Sequence, residues 1–550
     1  MIDQKAYAIG IDTGGTYTDA VLLERASGRV VASAKTPTTH RDLSIGLAQA
    51  LGKIMEDSSV PATDVAFVSV STTLATNAVV EDKGARVGLF VIGLAKAIDL
   101  PVVSVQYARG GHTITGAEED PLDIEAIVDG VGSLRGQVDA YAVSAAMSFA
   151  NPAHELVAAK AISLVDPKPV FCSHEVSGRA GIRERAATTV LHARLMPVMK
   201  QFIDGVSSAM AQHGLTCPVS VVRGDATPMS IDDSVRRAAD TFASGPAATA
   251  YFGTSFAPGG EALVVDVGGT TTDVTLIQGG RPTIRKGGSR IGEWETHVEA
   301  VEMFTVGIGG DSQVRLSRSG MLSVGPARVL PLCMAGNIPD PELWLGADDA
   351  SRLITLDRVA TEEEIASDPV LSCLAENGPT PYGELMRLTS MGDITLTAHL
   401  AKLVRSQKAA EIGFTPTDAL HVLDELELGD RDRAVRGARV LSERHGSDVE
   451  AFCREVLAKA RHKIENAILD HIVRREVDGG MADFITRKDA FSLVKFEASL
   501  SIPIVGIGAP ARLLLPQVAE RLHTDILFPK HFEVGNALGA ALLAAKAETA

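Results

Sequence analysis

The spacing of apolar and polar positions divides this chain into short strands, amphipathic helices and one long stretch where strand signals thin out. Tyr7–Asp12 and Thr16–Leu23 are apolar runs enriched in Ile, Val and Thr, and predict two strands joined by a glycine turn. Leu43, Leu47, Leu51 and Met55 recur at helical spacing and predict a helix. Strands are predicted at Val65–Val70, Val87–Ile92 and Ala140–Phe149, with a brief one at Val170-Phe171 and another at Val219–Val222. Tyr107–His112 and Gly116–Pro121 read as loops, and Leu191–Met210 as a long helix with Pro197 early. From about Asp357 to Ser499 charged helices dominate. There, Ser447-Asp448-Val449-Glu450 has the form of a capping box opening a helix, with Val449, Phe452, Val456, Ala460, Ile464, Ile468 and Ile472 on one face. Strand character returns at Ile502–Ile507. The expected organisation is an α/β lobe over 1–180, a second over 181–356, a helical insertion over 357–499 and a return to the second lobe over 500–550.

One stretch occurs twice. Gly10-Ile11-Asp12-Thr13-Gly14-Gly15-Thr16-Tyr17-Thr18-Asp19 aligns with Val264-Val265-Asp266-Val267-Gly268-Gly269-Thr270-Thr271-Thr272-Asp273. The context is strand–turn–strand, which excludes a Walker loop or a Rossmann fingerprint, since both run from strand to helix. Glycines let a backbone approach a phosphate chain, the turn exposes N–H donors, and the hydroxyls of Thr13, Thr16 and Thr270 can add bonds. A carboxylate beside the turn, Asp12 or Asp266, can hold Mg²⁺ through water. A single such turn could be only a hairpin. Two aligned copies, with a later Gly506-Ile507-Gly508-Ala509-Pro510 turn, point to a nucleotide gripped between two facing turns. Asp19 and Asp273 are expected to hydrogen-bond across their own hairpins.

Composition narrows the partners. A net charge of -17 argues against a nucleic-acid backbone. The same charge repels free ATP, so the nucleotide should arrive with a divalent cation. Five scattered cysteines without a CxxC support neither a disulfide framework nor a cysteine metal site and fit a reducing cytoplasm. No leader pattern and no apolar run of about 20 residues predicts a membrane segment.

These motifs resemble the phosphate-1 and phosphate-2 motifs of the actin/Hsp70/sugar-kinase superfold, and Gly506–Pro510 is similar to its adenosine motif. The resemblance is closer to the hydantoinase/oxoprolinase family, N-methylhydantoinase A type. It rests on IDTGGTYTD, STTLATNA with KGARVGL, SFANPAHE, SHEV, SGPAA, VVDVGGTTTDV and VGIGGDS, and on Thr417-Asp418-Ala419. It covers most of 7–330 and returns near 410–425 and 500–545. The chain departs in Asp311, where the family often has a third glycine, in Leu330-Pro331-Leu332-Cys333, and in a length shorter than is usual for that type.

The resemblance implies duplicated ribonuclease-H-like lobes around an ATP cleft, in an α/β fold with a helical insertion. It implies ATP-dependent opening of a cyclic amide or imide, or a related carboxylation. It also implies a partner subunit of the B type, and a homo-oligomer is allowed. Asp12 and Asp266 would organise Mg²⁺ and act in catalysis. Thr13, Gly14, Gly15, Thr16, Gly268, Gly269, Thr270, Gly309 and Gly310 would cradle phosphates, and Gly506 and Gly508 would admit adenosine. Substrate-side candidates are Thr73, Thr76, Asn77, Arg109, His112, His154, Glu155, His174 and Glu175, with His112, in its glycine-rich loop, favoured as a base or metal ligand. His154-Glu155 reads first as a helix start after Asn151-Pro152, ahead of a catalytic role. Ser71–Ala78 reads as anion contacts or as simple capping, and His421 as packing or capping. No zinc site is assigned, because no HExxH-like spacing occurs. A small-molecule kinase and a nucleotide-gated binding protein are the alternatives.

Overall fold

The chain forms two compact units, one of residues 1–252, 281–302 and 534–550, the other of 253–280 and 303–533. The computed structural model describes residues 5–549 except 16, 39–42, 81–82, 94–96, 286, 293, 318, 347–349, 358–359, 478–482 and 484–496. Among the expected site residues, Thr16 lies outside the described residues.

The first unit opens on β1 (Tyr7–Thr13), β2 (Tyr17–Glu24), β3 (Arg29–Pro37) and β4 (Val65–Thr72). β2 pairs antiparallel with β1 and β3, and β4 lies parallel to β1 on its other side. Every position of β1 after Tyr7 is buried, because both faces of this sheet are covered. The helix α1 (Leu43–Ser58) packs on β2 and β3, and the helix Gly535–Thr549 packs on β1, β2 and β4. Gly10 is required there: a Cβ at Gly10 would run into the carbonyl oxygen of Ala537.

A second sheet of the same unit holds β5 (Val87–Ile92), β6 (Ser104–Ala108), β9 (Ala140–Ala145) and β10 (Val170–Cys172) in the order β10-β9-β5-β6, all parallel. Between β6 and β9, β7 (Gly111–His112) and β8 (Glu118–Asp120) form a small hairpin where two loops were expected. Gly110 and Gly111, both at positive φ, turn the chain there, and two or three residues are too few for an alternation to register in sequence. The helices α3 (Ile124–Leu134) and α4 (Ala153–Val165) close one core of this sheet. The long helix α5 (Ile182–Gln212) packs on both β9 and α1, joining the two sheets through a shared core. β11 (Val219–Val222) extends the first sheet, parallel to β4, and β12 (Pro228–Ser230) ends it.

The second unit repeats the plan. β13 (Ala262–Val267) and β14 (Thr272–Gln278) are antiparallel, the strand Met303–Val306 adds antiparallel to β14, and Ile504–Ile507 then Ile526–Leu527 add parallel beside β13. This matches β3-β2-β1-β4-β11 strand for strand. It is the duplicated ribonuclease-H-like topology of the actin/Hsp70/sugar-kinase superfold.

The stretch 357–477 holds helices, as expected, and also the strands Thr380–Pro381 and Ala409–Gly413, both paired with Arg352–Leu356. The helix Val449–Glu476 is buried on more than one face, and its Phe452, Val456 and Ile464 share a core with Leu263 and Val265 of β13. Its cap is Asp448, which accepts from Ala451 N–H at 2.9 Å, not Ser447. A carboxylate facing the positive end of the helix is the stronger acceptor. Among the described residues no helix is long and apolar enough to cross a membrane.

Candidate functional site

The two glycine turns have one backbone geometry. Gly14 N–H donates to the Tyr17 carbonyl at 3.0 Å, and Gly268 N–H donates to the Thr271 carbonyl at 2.9 Å. Asp12 faces Asp19 across the first hairpin and Asp266 faces Asp273 across the second.

In the first unit, Asp12 is buried. It accepts from the Ser71 hydroxyl at 2.5 Å and from Asn536 Nδ2 at 3.3 Å. Burial pushes its carboxyl up to about 6, against the Ser71 hydrogen bond. Thr13 Oγ1 is buried with no partner among the described residues. Thr73 donates both N–H and Oγ1 to the Thr13 carbonyl, and Asn77 Nδ2 bonds Thr73 Oγ1 at 3.2 Å. Thr73 and Asn77 therefore buttress the turn, on the strand end and the start of α2 (Leu74–Val80), which also carries Thr76. Ser244 ties in the small-residue turn, accepting from Thr72 N–H and donating to the Thr72 carbonyl.

In the second unit the turn is packed by backbone. Gly310 and Asp311 donate their N–H groups to the carbonyls of Gly268 and Gly269 at 3.1 and 2.8 Å. Gly309 has no room for a Cβ, which would strike those same carbonyls. Gly508, at φ +91°, lies against Asp266, and a Cβ there would stand 2.7 Å from Asp266 Oδ1. Gly506 differs, since its missing Cβ makes room for the ring of Phe528. Asp311 bonds Arg328 at 3.3 Å, and burial raises its carboxyl. Thr417 Oγ1 donates to the Gly310 carbonyl at 2.8 Å. The neighbouring Asp418 is fully buried, closes a capping box with Thr415 and accepts from the N–H groups of Leu332 and Cys333. His421 accepts from Leu428 N–H at 3.0 Å, a capping contact.

Asp19 and Asp273 bond outward rather than across their own hairpins. Asp19 meets Lys35 of β3 and Asp273 accepts from Thr305 at 2.6 Å, in each case the residue opposite it on the next strand.

The remaining candidates gather at the carboxyl edge of the parallel sheet, where β6, β9 and β10 end at Ala108, Ala145 and Cys172. Ligands of α/β sheets bind at such edges. His154 Nδ1 accepts from Gly111 N–H at 3.0 Å, so its proton sits on Nε2, facing Glu118 at 2.9 Å. His112 packs against this ring at a tilt of 45°, with centroids 4.2 Å apart. Burial, then His154, holds His112 below the ordinary imidazole range, so it is neutral and able to accept a proton. Its buried Nδ1 has no partner among the described residues.

Glu155, buried in the first turn of α4, is saturated with donors: Ala145 N–H at 2.7 Å, Ser173 Oγ at 2.5 Å, His174 N–H at 2.8 Å and His174 Nδ1 at 2.7 Å. Asn151 caps this turn, accepting from Ala153 N–H, so His154 and Glu155 both start a helix and join these networks. Glu155, Cys172 and His174 hold ligand atoms within 4.8 Å of one another. The carboxylate's oxygens are already taken, and burial keeps Cys172 a thiol, so the trio reads as a hydrogen-bond network rather than a cation cage. Glu175 pairs with Arg236 at 2.5 Å and accepts from Cys172 N–H at 3.4 Å, at the rim of this network, whereas exposed Arg109 lies 3.6 Å from Asp123, apart from it.

Sequence reasoning missed Asn536 and the role of Ser71 as a partner of Asp12. Only strand register reveals Ser71, which stands opposite Asp12. No local signal marks Asn536.

A model described as hydantoinase/oxoprolinase N-terminal region matches residues 8–165, and one described as hydantoinase/oxoprolinase matches residues 185–486. The alpha subunit of caprolactamase from Pseudomonas jessenii is 29% identical over 461 residues, covering 76% of this chain and 65% of that protein. The gamma subunit of acetophenone carboxylase from Aromatoleum aromaticum is 28% identical over 474 residues, covering 76% and 59%. The chain thus spans less than two thirds of these curated relatives. Among solved structures, the ATP-dependent caprolactamase of Pseudomonas jessenii superposes with a TM-score of 0.66 at 24% identity, over 97% of this chain and 70% of that one. A nucleotide-free acetone carboxylase does so at 0.62 and 19%, with the same coverage. Likeness at these identities is likeness of fold.

Proposed function

The chain belongs to the hydantoinase/oxoprolinase family, and on that premise we propose that it is the ATP-binding subunit of an amidohydrolase that opens a cyclic amide or imide. The observation that carries this is the repeated turn, with one N–H to carbonyl bond and one aspartate register in both units. Gly14, Gly15, Thr13, Gly268, Gly269 and Thr270 offer backbone and hydroxyl donors to phosphate oxygens.

The residues fit a magnesium ion. Asp12 is a buried carboxylate with few neutralising partners, next to an unpartnered Thr13 hydroxyl. Asp12 and its repeat Asp266 would hold Mg²⁺, largely through water, where it would offset phosphate charge. Amide carbonyls are poor electrophiles. Phosphorylation of the carbonyl oxygen by ATP makes the carbonyl carbon electrophilic; water adds there, the ring nitrogen takes up a proton and leaves as the C–N bond breaks, and a second water hydrolyses the resulting acyl phosphate to carboxylate and phosphate. The protein's part is positioning and charge stabilisation. His112, neutral and with an open Nδ1, is suited to take the proton of the first water. The two relatives are named as subunits, which supports a partner for this chain as well.

The test is phosphate release with hydantoin, 5-oxoproline and caprolactam, with and without a co-expressed B-type partner. We expect release stimulated by one cyclic amide, together with its ring-opened product. Phosphate retained on the substrate would replace this reading with a kinase, and ATP binding without stimulated turnover would replace it with a nucleotide-gated binder. Carboxylation is a second reading, favoured by the near-equal identity to the acetophenone carboxylase protein. Dependence of turnover on bicarbonate separates the two.

A further inference from the structure

The two glycine turns differ at one equivalent position. Gly15 and Gly269 align in the repeat. A Cβ built on Gly15 meets nothing within 4 Å among the described residues, so that side of the first turn has room. The same side of Gly269 is filled. A Cβ there would stand 2.7 Å from Asp311 Oδ2. The second turn, whose expected ligand is an anion, thus already carries an anionic oxygen of its own chain.

The backbone puts Asp311 there. Its N–H donates to the Gly269 carbonyl at 2.8 Å, and its carbonyl accepts from Val329 N–H at 3.0 Å. The strands Ser312–Leu316 and Leu322–Arg328 pair antiparallel with Arg328 opposite Ser312, which brings the Arg328 side chain beside Asp311. The Arg328 guanidinium donates from both Nε and Nη2 to Asp311 Oδ2, each at 3.3 Å. One oxygen therefore lies between the bare side of a turn glycine and a guanidinium. Both bonds are longer than the roughly 2.8 Å of a well-made charge-assisted pair. The Arg328 side chain is 37% exposed and that of Asp311 is 19% exposed. Burial pushes the Asp311 carboxyl above its ordinary range, against the pull of Arg328. The carboxylate is thus incompletely compensated where it stands, and its cation is loosely held.

We propose that Asp311 Oδ2 stands in for a phosphate oxygen, so that Arg328 is a phosphate ligand of the nucleotide site and Asp311 is the carboxylate that the phosphate displaces. This rests on the ATP-binding reading and adds two residues to that site. A phosphate oxygen at this point takes over both guanidinium donors and lies against the turn as well. Phosphate carries more charge than a carboxylate and can meet the guanidinium fork with two oxygens, where Asp311 offers one. Two anions at one point repel, so the nucleotide has to break the Asp311–Arg328 contact, and Asp311 lowers the affinity.

The experiment is calorimetric titration of the whole chain with Mg-ATP. It compares the wild type, Asp311→Asn, Arg328→Gln and the double variant, with circular dichroism as the check of folding. We expect Asp311→Asn to bind Mg-ATP at least about tenfold more tightly than wild type, and Arg328→Gln at least about tenfold more weakly. The double variant separates a ligand from a counter-ion. If Arg328 serves the phosphate, its loss still weakens Mg-ATP about tenfold on the Asp311→Asn background. If it serves only to neutralise Asp311, its loss has no effect there, and the proposal is overturned. Should Arg328→Gln alone fail to fold, Asp311→Asn and the double variant carry the same comparison. Unchanged or weaker binding by Asp311→Asn also overturns the proposal, the weaker case making Asp311 a ligand of the bound cation instead. No saturable Mg-ATP binding to any of the four proteins removes the ATP-binding reading and this assignment with it. Saturable binding that departs from the expected order removes the assignment alone.

Discussion

The two glycine turns share a backbone and differ in what holds them. The Asp12 turn is held by side chains: Ser71 from the parallel neighbour, Asn536 from a distant helix, Thr73 from the next strand end. The Asp266 turn is held by main chain, the N–H groups of Gly310 and Asp311 and the close approach of Gly508. Position 71 is a serine in one copy, and the register-equivalent Ile507 in the other offers no polar group. The repeat thus preserves the backbone of the turn while its supports differ.

That difference can be broken most forcefully at the aspartates. Asp12→Ala and Asp266→Ala should each lower Mg-ATP hydrolysis by roughly a hundredfold or more, with circular dichroism unchanged; hydrolysis at wild-type rate in both would remove the phosphate assignment. Stability should then separate the copies. Asp12 has a folded-state value of about 6 against an ordinary 3.8, so the folded protein holds that proton more tightly. Its contribution is intact below about 4 and is lost as pH rises through 6. Asp12→Asn should therefore stabilise the nucleotide-free protein by up to about 3 kcal/mol at pH 8 and hardly at all at pH 4. Urea unfolding at the two pH values measures this, and a pH-independent effect would show that the carboxylate is not penalised.

The glycines give a smaller contrast. A Cβ at Gly15 meets nothing within 4 Å, whereas at Gly269 it stands 2.7 Å from Asp311 Oδ2. Gly269→Ala should cost about 1–3 kcal/mol. Gly15→Ala should stay within about 0.5 kcal/mol and weaken only ATP binding. Thermal melts with and without Mg-ATP would show the reverse pattern if the first turn were the crowded one. The mildest break is Lys35→Met. Asp19 pairs with the partly exposed Lys35, while Asp273 makes do with Thr305. Loss of the lysine should cost about 1 kcal/mol, seen as a shift in the urea midpoint.

The turns were legible because their information is local: Asp-x-Gly-Gly-Thr between two apolar runs specifies strand, turn and strand within ten residues. The parallel sheet was legible from buried runs such as Val87–Ile92. What escaped is non-local or too short. Ala409–Gly413 offers five residues with no clear alternation, and pairing with Arg352–Leu356 makes it a strand. The His112 hairpin depends on two positive-φ glycines. Asp448 rather than Ser447 caps its helix, a one-residue shift that pattern alone does not resolve. Arg185 reads in sequence as one more charge on a polar helix start, and only the fold shows it buried and donating to the carbonyls of Ala145 and Ala146.

The Asn536 contact to Asp12 spans 524 residues. At ribosomal speeds of roughly 5–20 residues per second, β1 and β2 leave the tunnel about half a minute or more before their last support exists. The helix Gly535–Thr549 that packs over Gly10 arrives equally late. During that interval the first turn lacks both the helix over Gly10 and the Asn536 contact to Asp12. Completion of the turn's supports is thereby deferred until synthesis has passed residue 536. Nascent chains that stop short of it would carry the glycine motif without this buttress.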